Sequence, residues 1–310
     1  MTVLQAGMLS LLQDSGRRGH HRLGLSTGGP LDGVAFHYCN RLLQNPGNST
    51  AIEISVGGLQ LSAQVDTYIC LTGANMPLTI NGEEKGLWEV HPVAAGDVLD
   101  IGFARSGCRA YLGVADGFAI APSFGSSATV VREKVGGLHG DRLHAGDQLP
   151  CKMVRSRKRL YLPEPDRPRY QNTLTVRVIP GYQQRHFSRV EQRRFFGSSF
   201  RVSEQCDRMG YRLEGPPIDC GIKGVLSEGI CLGAIQVPPD GQPIVLLNDR
   251  QTIGGYPKIG SALSLDAARL SQMVAGSSVH FAPITVRTAH RALDLAQRFL
   301  LQRPLLERKA

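Results

Sequence analysis

The chain has 310 residues, 42% of them apolar and 20% charged, with no low-complexity tract, so it has room for one large or two ordinary domains and is neither disordered nor fibrous. Its 36 glycines and 18 prolines imply many turns, and its uncharged apolar runs fall far short of the roughly 18 residues that span a membrane. Lys and Arg outnumber Asp and Glu by 35 to 26, a net charge of +9, which brings an acidic partner or nucleic acid into consideration. That excess is concentrated in Lys152 to Arg169, where seven basic residues face only Glu164 and Asp166. Aromatic residues are 6% of the chain and are not interleaved with this run as base-stacking platforms would be, so the run reads as a solvated linker and no nucleic-acid partner is expected.

From the N-terminus, the apolar stretch Val3 to Leu12 is broken by Gln5, Gly7 and Ser10 and lacks a basic flank, which makes it a poor signal peptide. With an odd number of cysteines, seven, at irregular spacing and none in a C-x-x-C pair, the expectation is a cytoplasmic protein with reduced thiols. Gly24-Leu-Ser-Thr-Gly28 fits the G-x-S-x-G pattern, but the preceding Arg17 to Arg22 is polar where a buried strand would be needed, so a turn is the better reading. Pro30 as the first helical residue, followed by Leu31, Val34, Ala35, Tyr38, Cys39, Leu42 and Leu43 at spacings of three and four, predicts a helix with Asp32 in its first turn, stopped at Asn45-Pro46-Gly47.

Short β-type runs follow, among them Tyr68–Thr72, Leu78–Ile80, Val98–Ile101 and Arg109–Val114, separated by turn residues, and they predict a β-barrel or sandwich. His139, Asp141, His144 and Asp147 cluster in a loop without metal-ligand spacing, and no metal is expected. Beyond the basic run, Thr173–Ile179, Ile244–Leu247 and Ser278–Phe281 predict a second β domain. Two helices are predicted to close it, one over about Leu265 to Val274 and one near Thr288 to Leu301 with Ala289, Ala292, Leu293, Ala296 and Leu300 on one face. Ala95-Gly-Asp, Ala145-Gly-Asp and Ala275-Gly-Ser each precede a β-type run, which reads either as an internal duplication or as a recurring turn that needs glycine.

Three regions combine glycine with specific polar residues: Gln13-Asp14-x-Gly16-Arg17-x-Gly19, Asp207-Arg208-Met-Gly210, and Gly233-Ala-Ile-Gln236 with Asp249-Arg-Gln251-Thr-Ile-Gly-Gly-Tyr256-Pro-Lys258. Glycine allows close approach of backbone to a ligand, while Gln and Tyr supply neutral hydrogen bonds, a wall suited to a small, polar, uncharged substrate. Asp14, Arg17, Asp207, Arg208, Gln236, Gln251 and Tyr256 are therefore the candidate catalytic residues, expected to converge on one cleft at a domain junction. Asp32, Asn40, Asp249 and Lys258 are the candidate substrate-binding or interface residues. For Asp14 and Asp207 the competing reading is that they cap turns and pair with Arg17 and Arg208.

At these pieces, together with Gly29-Pro-Leu-Asp32, Leu71-Thr-Gly-Ala74, Ser227-Glu-Gly229 and Gly241-Gln-Pro-Ile244, the sequence resembles the allophanate-hydrolase-subunit-2-like family, also called biotin-dependent carboxyltransferase-like or KipA-like. The order of pieces is kept from about residue 3 to 285. It departs at Gln44, Asp116, Asn75 and Ala128, where the family has Gly, Gly, Asp and Ser. The resemblance implies a mainly β fold of two cyclophilin-like β-barrel domains with a few short helices, over 1–150 and 173–310, joined by a Pro-containing linker at 151–172. It further implies work in a complex: as the C subunit of an ATP-dependent 5-oxoprolinase, beside a LamB/YcsF-like chain and a KipI-like chain (allophanate-hydrolase-subunit-1-like), ATP being bound on or with a partner. The alternatives are a carboxyltransferase component served by biotin carried in trans and a non-catalytic regulator of a KipI-like partner.

Overall fold

The alternating apolar runs become strands throughout, and the protein is mainly β, with four α-helices among the described residues. A computed structural model describes residues 1–222 and 224–308 as two units, the first holding Met1–Gly19, Gly28–Tyr170 and the stretch from Arg303, the second His20–Thr27 and Gln171–Gln302. Among the described residues no helix is long and apolar enough to cross a membrane.

In unit 1 the strands are β1 (Thr2–Ala6), β2 (Leu9–Gln13), β3 (Ala51–Ser55), β4 (Leu59–Ser62), β5 (Thr67–Asn75), β6 (Leu78–Ile80), β7 (Glu83–Lys85), β8 (Val90–Val93), β9 (Val98–Ile101) and β10 (Ser106–Val114). They form two five-stranded antiparallel sheets, ordered β1-β4-β9-β6-β7 and β2-β3-β10-β5-β8. Ile52, Ile54, Leu71 and Leu112 from one sheet and Leu61, Leu78, Leu99 and Ile101 from the other belong to a single buried core. The second sheet is also covered on its outer face by helix α1 (Gly33–Leu42), which packs on β5 and β10, and β3 is buried at every position. Gly113 is required by that packing, since a Cβ there would lie 2.7 Å from both Cys39 Sγ and Leu43 Cδ1.

The start of α1 differs from the sequence expectation. Asp32 is the N-cap and the helix begins at Gly33, leaving Pro30 outside. The Asp32 carboxylate accepts from the amides of Val34 and Ala35, both at 3.1 Å, and so satisfies the donors that a first turn leaves open. Gln44 and Asp116, two of the positions where the resembled family has glycine, stand at φ of +55° and +65°, the left-handed region in which glycine would be unstrained. The basic run is also not loose: β11 (Leu160–Tyr161) pairs with a strand at Leu306–Glu307, Leu162 is fully buried, and Arg157 pairs with Asp116.

Unit 2 is a closed seven-stranded barrel of β12 (Thr173–Pro180), β13 (Ser199–Cys206), β14 (Gly210–Glu214), β16 (Ala234–Gln236), β17 (Ile244–Leu246), β19 (Lys258–Ala262) and β20 (Ser278–Pro283), in the order β12-β19-β16-β17-β14-β13-β20. Outside it lies a ribbon of β15 (Glu228–Gly229) and β18 (Ile253–Gly254). The two predicted helices are present as α3 (Ser264–Leu270) and α4 (Val286–Gln302), and the five α4 residues expected on one face are its buried or half-buried ones. Helix α2 (Arg189–Gly197) carries no apolar stripe at helical spacing, five of the nine residues in RVEQRRFFG being charged or Gln. Its signal was the Ser188-x-x-Glu191 capping pair, with Ser188 Oγ accepting from the Glu191 amide at 3.2 Å, and it buries Phe195 in a stack on Phe281 at 4.3 Å.

The recurring Ala-Gly motif is a recurring turn. Gly96, Gly146 and Gly276 have φ of +94°, +94° and +85°, each at the third position of a turn closed by the amide of the next residue on the carbonyl three back. That is the geometry in which a type II turn demands glycine.

Candidate functional site

In unit 1 the Asp14 carboxylate accepts from the Gly16 amide (2.9 Å), Ser126 Oγ (2.5 Å) and the Ser127 amide (2.8 Å). Arg17, 1% exposed, donates from Nε to the Ser123 carbonyl (3.1 Å) and from Nη2 to the Ala128 carbonyl (2.9 Å). Gln13 Nε2 donates to the Thr129 carbonyl (3.0 Å). The whole Gln13–Arg17 stretch thus clamps the 123–129 loop. Asp32 caps α1 and also accepts from Tyr170 Oη (2.7 Å), while Asn40 donates to the Ser49 carbonyl (3.0 Å) and accepts from Asn45 (3.2 Å). In the His139–Asp147 loop, Asp141 and Asp147 accept from the Arg142 and His144 amides, and among the described residues no group of three His, Cys, Asp or Glu could hold a metal.

In unit 2, Asp207 accepts from the amides of Met209 (2.7 Å) and Gly210 (3.1 Å), closing a turn. Arg208 turns instead to Asp249, Nε and Nη2 meeting the two carboxylate oxygens at 2.8 and 2.9 Å with both residues buried. The next residue, Arg250, donates to the carbonyls of Ile230 (3.2 Å) and Leu247 (3.1 Å), and burial lowers the pKa of its guanidinium. Ser26, the centre of the G-x-S-x-G match, donates to the Arg250 carbonyl at 2.9 Å. These groups form a buried frame under the Asp249–Lys258 stretch.

On that frame sits an arrangement of a different kind. Gln236 ends β16, in register with Lys258 of β19, and is 2% exposed, yet its Nε2 has no acceptor among the described residues. Gly254 is what lets the amide into this position: a Cβ there would stand 2.8 Å from Gln236 Nε2, 3.5 Å from Gln251 Nε2 and closer still to Ile230 Cδ1. Two side-chain amides therefore approach one point on the β18 backbone. Opposite Gly254 on the ribbon is Glu228, whose carboxylate takes Gln183 Nε2 (2.7 Å), Lys258 Nζ and Tyr182 Oη. Gln183 Oε1 accepts from the Lys258 main-chain amide at 2.8 Å, closing a circuit through both ends of Lys258. Lys258 and then Tyr182 hold the Glu228 carboxyl below the usual carboxylate range, and the same bond raises the Tyr182 hydroxyl above its own. Tyr256, on the same stretch, is 44% exposed.

Of the residues proposed from sequence, Gln236, Gln251 and Lys258 come together around Gly254, and Arg208 with Asp249 braces the stretch that carries them. Asp207 caps a turn; Asp14, Arg17, Asp32 and Asn40 are bonded within unit 1. Sequence reasoning did not select Tyr182, Gln183 or Glu228. Their only trace was the Ser227-Glu-Gly229 piece and the polar Tyr-Gln-Gln that follows the end of β12.

A buried amide donor left without an acceptor costs about 1–3 kcal/mol, and a ligand oxygen opposite it would recover that. Because Glu228 already neutralises Lys258, the donors free to act are uncharged, which suits a neutral carbonyl better than an anion.

The family model for "Carboxyltransferase domain, subdomain A and B" matches residues 23–283. The chain is 34% identical over 305 residues to the C subunit of 5-oxoprolinase from Escherichia coli, covering 97% of each, and 34% identical over 291 residues to the C subunit of 5-oxoprolinase from Haemophilus influenzae, covering 93% and 92%. Its fold is similar to the crystal structure of the Kluyveromyces lactis urea amidolyase, with a TM-score of 0.90 at 24% identity over 97% of this chain and 20% of that one.

Proposed function

The chain belongs to the carboxyltransferase-domain family, subdomains A and B, and on that premise we propose that it is the C subunit of an ATP-dependent 5-oxoprolinase, converting 5-oxo-L-proline to L-glutamate together with a LamB/YcsF-like chain and a KipI-like chain. The cytoplasm is its proposed location, in keeping with seven cysteines that are all free thiols. The observation that carries the reading is the buried Gln236 amide with no acceptor. Opening a lactam moves negative charge onto its carbonyl oxygen as a bond forms to the carbon. A fixed N–H aimed at that oxygen is worth more as the charge grows, which is the requirement for accelerating the step rather than only binding the substrate. Gln251, whose Nε2 nears the same point at Gly254, is the second donor. The circuit of Glu228, Gln183 and Lys258 holds β19 beside Gln236 so that the amide does not have to be positioned at the moment of reaction.

ATP is assigned to a partner chain. The sequence has no G-x-x-x-x-G-K-[ST] loop, and the residues around Gly254 offer neutral amides and an ammonium already paired with Glu228, which do not fit a triphosphate. The family description supports a second reading, transfer of a carboxyl group to an amide from biotin carried in trans, in which the same amide would face the acceptor's carbonyl. The test is reconstitution. The purified chain alone is expected to release no glutamate from 5-oxoproline and to gain ATP-dependent release when mixed with its LamB/YcsF-like and KipI-like partners. Turnover by the isolated chain would sink the first reading, and turnover only with a carboxylated biotin carrier would replace it with the second.

A further inference from the structure

Unit 1 contains a cleft of about 490 Å³, formed by residues other than those around Gly254. Its size falls within the range of small-molecule sites, roughly 300–1,000 Å³. It runs between the end of β5 at Asn75, the β7–β8 turn at Trp88, and the Arg167–Tyr170 segment, which is the C-terminal part of the basic run.

Arg167 is half-buried in this wall, and its guanidinium is fixed by one bond, Nε to the Leu162 carbonyl at 2.8 Å. Nη1 and Nη2 have no acceptor among the described residues. The far end of the segment is fixed as well, by Tyr170 Oη donating to Asp32 at 2.7 Å. Burial pushes the Arg167 pKa down, with Glu164 and Glu89 offsetting it, so the cation is partly stripped of water without a carboxylate bonded to it. Arg169 lines the cleft, exposed and with no ion pair among the described residues, whereas Lys85 is taken by Glu83 at 2.6 Å. The acids on the lining, Glu84 and Glu164, are both exposed, where water screens them.

We propose that this cleft binds a small carboxylate, held end-on by the two terminal nitrogens of Arg167 with Arg169 as the outer cation. A planar guanidinium with two parallel N–H groups free matches the two oxygens of a carboxylate, and Asn75 adds a neutral amide to the wall. The two rim acids favour a monoanionic group over a phosphate dianion, which they would repel about twice as strongly. The site is in unit 1 and the Gln236 amide in unit 2, so binding here and turnover there stand or fall separately.

Trp88 is the one tryptophan of the chain and lines the cleft, so its fluorescence reports on occupancy directly. Titrating the full chain with propionate, L-glutamate and inorganic phosphate should give a saturable change with the two carboxylates, each of net charge −1, and a weaker one with phosphate. Arg167→Gln should weaken L-glutamate binding at least tenfold. Arg169→Ala and Asn75→Asp, at exposed positions where folding is not at risk, should each weaken it several-fold, the second by adding a like charge. The proposal is overturned if neither fluorescence nor calorimetry detects a saturable carboxylate, if phosphate alone binds, or if Arg169→Ala and Asn75→Asp both leave the affinity of wild type.

Discussion

Gln13–Gly19 in one unit and the Gly233–Gln236 and Asp249–Lys258 stretches in the other are alike in sequence: glycines set among Gln, Asp and Arg. The first spends its amide, carboxylate and guanidinium on the carbonyls, amides and a hydroxyl of one loop. The second spends Arg208, Asp249 and Arg250 in the same way but leaves Gln236, equally buried, with nothing to bond among the described residues. Composition does not separate the two. The bonding of their two buried glutamines does, since Gln13 donates to the Thr129 carbonyl and accepts from the Gly29 amide whereas Gln236 Nε2 finds no acceptor among the described residues, and a fold gains nothing from an unsatisfied amide while a binding site does.

The largest expected effect is on the frame. Arg208→Ala leaves Asp249 buried and stripped of its bidentate partner, a change that typically costs about 3–5 kcal/mol. Asp14→Ala removes the acceptor of three bonds in unit 1 and should cost about 2–3 kcal/mol. Both should appear as lower midpoints in urea unfolding. A variant of either kind that unfolds like wild type yet abolishes turnover in the reconstituted complex would break the comparison, since it would put a functional group where a brace is argued.

Gln236→Leu should do the reverse. Replacing an unpartnered amide by an apolar side chain of similar size should leave stability unchanged or raise it by about 1 kcal/mol, while turnover falls about a hundredfold. A clear loss of stability would mean that the amide is structural after all.

Much of the fold was legible because it rests on local patterns. Leu78–Ile80 and Val98–Ile101 are strands with the very bounds their apolar alternation gave, and the α4 stripe is the face that packs. What was not legible depends on partners distant in sequence. Nothing local to Asp14 says that its acceptors will be filled by Ser126 and Ser127, or that Arg208 will reach past Asp207 to Asp249. Glu228 is the clearest case: it gains meaning from Tyr182 and Gln183, some 45 residues earlier, and from Lys258, 30 later. The start of α1 was misplaced for a local reason, two competing start signals, and the Asp32 carboxylate won because it bonds two amides whereas Pro30 only removes one.

The Glu228 circuit sharpens the comparison through pH. Its folded carboxyl pKa lies below that of the unfolded chain, so the circuit stabilises the protein above the unfolded value of about 4.3 and that contribution is lost as pH falls through the folded value. Glu228→Gln should therefore be less stable than wild type at pH 6 to 7 and converge on it in acid, measured by urea unfolding across pH 3 to 7. A stability difference that stays constant with pH would remove the carboxylate's charge from the account.

The smallest expected effect belongs to the first part of the basic run, Lys152 to Arg159, where charge is conspicuous in the sequence and, apart from Arg157, little used in the structure. The segment is held by backbone and by Leu162: the Val154 amide donates to the Asp66 carbonyl at 2.9 Å, and the Arg159 carbonyl accepts from the Arg308 amide at 2.9 Å. Of its cations, Lys158 meets Glu307 at 3.3 Å with both side chains about half exposed, a pair worth at most about 1 kcal/mol. Arg155 and Arg159 form no ion pair among the described residues. Arg157 is different, with only 19% of its side chain exposed against Asp116. Changing Arg155, Lys158 and Arg159 together to Gln should thus shift the unfolding free energy by less than about 1 kcal/mol and leave turnover intact, and adding Arg157→Gln should account for most of any further loss. If the triple change alone destabilises the chain by several kcal/mol, its charges do more than solvate the segment, and backbone anchoring is not what holds it.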